Sequence, residues 1–280
     1  MLPILLAALS AIVWGTGDYC GGRAARGASA LPVTVLSQLA GLPVLAVSVV
    51  LVGGAPTARA LGWGAVGGAA GFLGLVLLYK GLSEGSMMIF APVSAVTSAI
   101  VPMGVGLVLG DRPGLLPLVG ACVAIVAIGL VSASGGTAAE GAARIGLRPI
   151  GLALASGALF GIFYSLIGKA GAGAGMWPLV GVRVASVSIG LLVLARTGTS
   201  LRLPRRAVRW SLVAGPFDVL ANVLYLVAAG RGLLSLVAPV GSMYPVSTAL
   251  LAFLIDRERV RPVQLAGLGL AATALVLVAG

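Results

Sequence analysis

The chain has 280 residues, 59% hydrophobic and 9% charged, with a mean hydropathy of +1.14; an ordinary globular protein is about 25% charged, so water is excluded as its solvent and lipid is expected. The net charge of +11 does not point to nucleic acid, because the arginines stand between apolar blocks, as in membrane connectors, and form no patch on a polar face. Histidine is absent, and the two cysteines, Cys20 and Cys122, sit in apolar runs, which excludes the usual zinc and general-base constellations and a disulfide framework; no cofactor and no enzymatic activity are expected.

A helix that crosses the hydrocarbon layer needs about 20 apolar residues. In chain order the candidate stretches are 2–22, 27–58, 60–79, 85–110, 113–139, 149–168, 170–195, 210–230, 232–255 and 262–280. Asp18, Arg183 and Asp218 are the charges inside them. The first stretch lacks the basic leader of a secretory signal and reads as a retained span. Lipid offers no backbone partners, so the spans must be helices, and the alternating ten-residue strands of a barrel do not occur. Residues 135–148, small, polar and glycine-rich, read as a linker without secondary structure, between domains at 1–134 and 149–280.

The second domain repeats the first. LLYKG around Tyr79 pairs with NVLYLV around Tyr225; APVSAV at 91–96 pairs with APVGSM at 238–243; GDRPGLLPLVG at 110–120 pairs with RERVRPVQLAG at 257–267; SAIVWG at 10–15 pairs with SGALFG at 156–161. All four pairs keep an offset of 146 or 147 residues. An odd number of spans per repeat turns the second upside down. The expected fold is an all-α membrane protein of ten transmembrane helices in two inverted five-helix repeats, a transporter architecture with its site near mid-membrane. The odd-numbered connectors hold most of the arginines, which places them in the cytoplasm and both termini outside.

These repeats resemble the EamA-domain family of the drug/metabolite transporter superfamily. The resemblance rests on Trp14-Gly15 in span one, the APV of spans four and nine, and the acid-arginine steps Asp111-Arg112 and Glu258-Arg259 before spans five and ten. WGTGDYCGGRAARG (14–27) and DVLAN (218–222) are similar to the versions in one bacterial branch. It implies a ten-helix carrier of small metabolites or drugs, often an exporter, multi-pass in the cell membrane, with cytoplasmic termini, against the charge pattern. The expected partners are a small-molecule substrate, the bilayer and, through the in-span carboxylates, protons, and a monomer or a homodimer is expected. A lipid-carrier translocase of the same superfamily is the alternative.

Charges inside spans are costly and usually face a cavity or a partner. Asp18, about 24 Å along its helix at 1.5 Å per residue, reads either as a gate or proton-binding carboxylate or as an interfacial acid paired with Arg23. Asp218, Asn222 and Tyr225 stand at i, i+4 and i+7 on one face, a stripe able to bind a polar solute or take up a proton; the other reading holds Asp218 in a structural pair with Arg183. Pro92 and Pro239 are the expected hinges, since an interior proline removes a backbone bond, and Ser94, Thr97, Ser242 and Tyr244 follow them as candidate cavity walls. Trp14, Tyr79, Tyr164 and Tyr225 offer aromatic faces to an amphipathic substrate. Pairs such as Gly64–Gly68 and Gly67–Gly71 have the spacing that lets helices pack closely.

Overall fold

The structure is a computed structural model that describes residues 1–25, 28–84, 87–132, 147–168, 173–256 and 261–279. Among these residues there are twelve helices and no strand: α1 (Leu2–Ala25), α2 (Ala30–Ala40), α3 (Leu42–Val52), α4 (Ala58–Glu84), α5 (Met87–Val108), α6 (Leu115–Ser132), α7 (Leu147–Gly168), α8 (Trp177–Thr197), α9 (Arg205–Ala229), α10 (Leu234–Gly241), α11 (Tyr244–Asp256) and α12 (Pro262–Ala279). Nine segments among them are long and apolar enough to cross a membrane, with α2–α3 and α10–α11 each counted as one, and Val93–Val108 is a shorter apolar helix. The protein is an integral membrane protein, its outward faces carrying leucine, valine and isoleucine. The start of α7 at Leu147 makes the last two residues of the 135–148 linker helical; the rest of that linker, Arg257, Glu258 and Arg259 lie outside the described residues.

Two spans expected to be single helices are broken, for different reasons. Between α2 and α3, Gly41 lies so close to α9 that an added methyl would stand 2.8 Å from the Gly215 carbonyl oxygen and 2.5 Å from Val219; Pro43 follows and has no N–H to continue the ladder. Between α10 and α11, Ser242 and Met243 interrupt the helix, with Pro239 before the break and Pro245 after it. Those prolines leave the carbonyls of Ser235 and Gly241 without their usual helical donors. The counterpart of Pro245 in the first repeat is Ser98, and α5 runs unbroken through Pro92 and Pro102.

The halves interlock. α4 packs on α7 and α8 of the second half, while α9 packs on α1, α2 and α3 of the first; α5 lies on α7 as α10 and α11 lie on α1, and α6 lies on α12. Swapping the halves exchanges the partners in every one of these pairs. The register agrees: Gly161 of α7 meets Val101 of α5, and Gly15 of α1 meets Ser247 and Thr248 of α11. In the self-paired couple, Gly120 near the start of α6 touches Leu277 and Val278 at the end of α12, and Gly267 near the start of α12 touches Leu130 and Val131 at the end of α6. Two antiparallel helices that exchange must do so about an axis perpendicular to them. For membrane-crossing helices that axis lies in the membrane plane, so the repeats are inverted.

Candidate functional site

The crossing of α1 and α9 at the centre of this interlock sets the site. The two run antiparallel, with Ser10 Oγ donating to the Ala221 carbonyl at 2.9 Å and Gly17 packed against Ala214 and the backbone of Asp218. Because the directions oppose, the acid ends of both stripes, Asp18 and Asp218, reach one level and their aromatic ends, Trp14 and Tyr225, the next.

At the acid level Arg183 Nη2 of α8 donates to Asp218 Oδ2. Arg183 is 7% exposed and Asp218 42%, so the pair is a buried cation covered by a carboxylate that opens to solvent. Asn222 Nδ2 donates to the Asp218 backbone oxygen at 2.7 Å and to its Oδ1 at 3.3 Å. Asp18 is solvent-exposed, yet Asp218, Tyr164 and Tyr244 from three other helices lie within its electrostatic reach. Its carboxylate is thus reached both by solvent and by groups of α7, α9 and α11. Arg23, one turn on, donates to Tyr19 Oη at 2.8 Å and lies over the Trp210 ring at 5.2 Å.

One level away, four candidate aromatics from α1, α7, α9 and α11 converge. Trp14 stands 5.2 Å from Tyr164, 5.6 Å from Tyr225 and 6.5 Å from Tyr244, ring centre to ring centre, and Tyr164 stands 5.4 Å from Tyr225. Tilted and edge-on contacts at these separations are the favourable ones for π-systems. Trp14, Tyr164 and Tyr225 are buried, so the rings form a packed floor. Ser98 of α5, which donates to the Ala95 carbonyl at 2.7 Å, lies beside Tyr244.

The other candidates lie elsewhere. Ser94 donates to Ser156 Oγ at 3.2 Å, which in turn donates to the Gly74 carbonyl at 2.9 Å, tying α5, α7 and α4 together. Thr97 bonds back to Val93 of its own helix at 2.7 Å. Ser242 is buried at the α10–α11 break, its hydroxyl without a hydrogen-bond partner among the described residues. The backbone runs helical through Tyr79 and Pro92, but their side chains lie outside those described. Sequence reasoning does not single out Gln38, whose Oε1 accepts from Ser186 Oγ one turn beyond Arg183; its signal was that it is the sole amide in its span.

The sequence pattern of the EamA-like transporter family matches residues 1–133 and again 147–280. A solved chain, titled "Crystal structure of protein", superposes with a TM-score of 0.79 over 98% of this chain and 95% of its own, at 14% identity; at that identity the likeness is one of fold. No curated protein matches.

Proposed function

Because the chain belongs to the EamA-like transporter family, membrane transporters of the drug/metabolite superfamily, we propose that it is a secondary active transporter of the cell membrane. In this reading it exports a small amphipathic metabolite or drug by alternating access, and protons exchange at Asp218, with Asp18 beside it. The observation that carries the reading is that two in-membrane carboxylates, one from each inverted half, reach one level of the seam next to an aromatic floor. In-membrane acids are costly and are kept where ions or solutes pass. The sequence holds no GxxxxGK[ST] phosphate loop, in keeping with an ion gradient as the driving force. Flux of a panel of fluorescent amphiphiles from proteoliposomes under a pH gradient tests this. Asp218→Asn is expected to abolish the gradient-driven component, and undiminished flux removes Asp218 from the coupling.

A further inference from the structure

The first turns of α9 present a concentrated positive charge to the outside of the molecule. Arg196 closes α8, Arg202 stands in the connector, and Arg205, Arg206 and Arg209 open α9; all five are exposed. No acid stands between Glu140 and Asp218 in the sequence, and among the described residues none of the five is in an ion pair. The three on α9 are badly placed for the helix itself. Arg205 and Arg209 are like charges one turn apart, and the N-terminal end of a helix repels cations. α9 starts with neither a capping side chain nor an acid in its first turn. Orienting the chain in the membrane requires arginines on one side of it, not in the first turns of a helix.

Their direction shows what they face. At 3.6 residues per turn, Arg205, Arg206 and Arg209 share about a third of the helix circumference with Leu212, Val213 and Leu220, which are exposed. The buried Ala207, Ser211 and Ala214 fill the other side. In a membrane-crossing helix that exposed face meets lipid, and Arg209 stands only about 4.5 Å along the axis from the first leucine of the row. Trp210, next to it, packs edge-on against Tyr19 at 6.5 Å and carries Arg23 over its ring, as an aromatic anchor at the head-group level does. The matching ligand has negative charge at its head and an apolar chain below. A soluble anion meets the arginines and leaves the apolar row bare; a zwitterionic lipid brings a cation of its own to them. We propose that the start of α9 is a docking surface for an anionic phospholipid, its phosphate held by Arg205, Arg206 and Arg209 and its acyl chain lying along Leu212, Val213 and Leu220. Basic clusters of this size beside a span are attracted to anionic head groups. The inference requires only that the protein spans a membrane, so it stands apart from the transport reading.

The test is native mass spectrometry of the full chain in detergent micelles, titrated with phosphatidylglycerol and with phosphatidylcholine of the same acyl chains. The first phosphatidylglycerol is expected to bind at least about tenfold more tightly than the first phosphatidylcholine. Arg205→Gln combined with Arg206→Gln and Arg209→Gln is expected to abolish that preference. Arg59→Gln combined with Arg231→Gln removes two exposed arginines from the opposite face of the membrane and is expected to keep it. Glycerophosphoglycerol, the same head group without chains, is expected not to compete at equal concentration. Equal affinity for the two lipids, or a preference that survives the triple variant, overturns the proposal. So does an equal loss in the opposite-face variant, or competition by glycerophosphoglycerol, which would make the patch a phosphate site without a place for the chain. The unaltered protein alone ranks the two lipids, so misfolding of a variant does not rescue the idea. No solute flux enters the measurement, and a protein that prefers phosphatidylglycerol but moves no solute in liposomes would end the transporter reading and leave the lipid site standing.

Discussion

Arg183 and Asp218 are unequal partners, and the inequality has a measurable consequence. Removing Asp218 strands a guanidinium that is 7% exposed, and an unpaired buried charge typically costs about 3 kcal/mol or more. Asp218→Ala is therefore expected to lower the thermal unfolding midpoint in detergent strongly. The double variant Asp218→Ala with Arg183→Met, which leaves no charge behind, is expected to recover most of that loss. A double variant no more stable than Asp218→Ala refutes the buried-pair account. The pairing itself was legible: one lone cation and one lone acid in consecutive spans have few other ways to be satisfied. So was the Asp218–Asn222 contact, since i and i+4 meet on any helix. The convergence of Trp14, Tyr164, Tyr225 and Tyr244 was not, because it depends on how α1, α7, α9 and α11 cross, and no spacing within one helix encodes a crossing.

Along α4 the glycines at small-xxx-small spacing divide between two neighbours. Gly64 and Gly68 meet the backbone of α8 at Pro178 and Val182, whereas Gly67 and Gly71 face Phe163 of α7. Two interleaved stripes of small residues let one helix approach two others. The contacts are unequal in tightness. A methyl at Gly68 would stand 2.7 Å from the Val182 Cα, one at Gly67 would stay 3.6 Å from its nearest neighbours, and one at Gly62 would meet nothing within 4 Å. Gly68→Ala, which presses on backbone that cannot turn aside, is expected to cost about 1–3 kcal/mol, while Gly67→Ala and Gly62→Ala, which have room and suit a helix better than glycine, do not lower the midpoint. Equal effects at the three positions would show that α4 and α8 do not approach as described. The spacing announced close packing but not which helix each glycine meets. The helix breaks were less legible still: Pro102 lies inside an intact α5, so a proline alone does not end a helix. It took Gly41 pressed against α9 at one break and Pro239 with Pro245 about the other.

At the scale of the molecule the duplication visible in the sequence is also the rule of assembly. The four matched motifs at nearly one offset revealed two copies, and the odd number of spans revealed their inversion. What they concealed is how little each copy holds by itself. The principal helix pairs, α1 with α9, α4 with α7 and α8, α5 with α7, α6 with α12, all join one half to the other. Helix association in lipid depends on close packing and on bonds between helices, since lipid tails are as apolar as leucine and give no hydrophobic drive. A half deprived of its partner keeps its insertion energy but loses nearly all of that packing, together with the Ser10–Ala221 and Ser156–Gly74 bonds that cross the seam. Residues 1–133 expressed alone are thus expected to insert and then aggregate or be degraded. Co-expression with 147–280 is expected to yield a stable complex in detergent, provided each half inserts in its own orientation. Size-exclusion of tagged halves decides it: a monodisperse, protease-resistant 1–133 on its own would mean that the halves are separate domains that merely touch, and the seam would lose its standing as the place where the protein is held together.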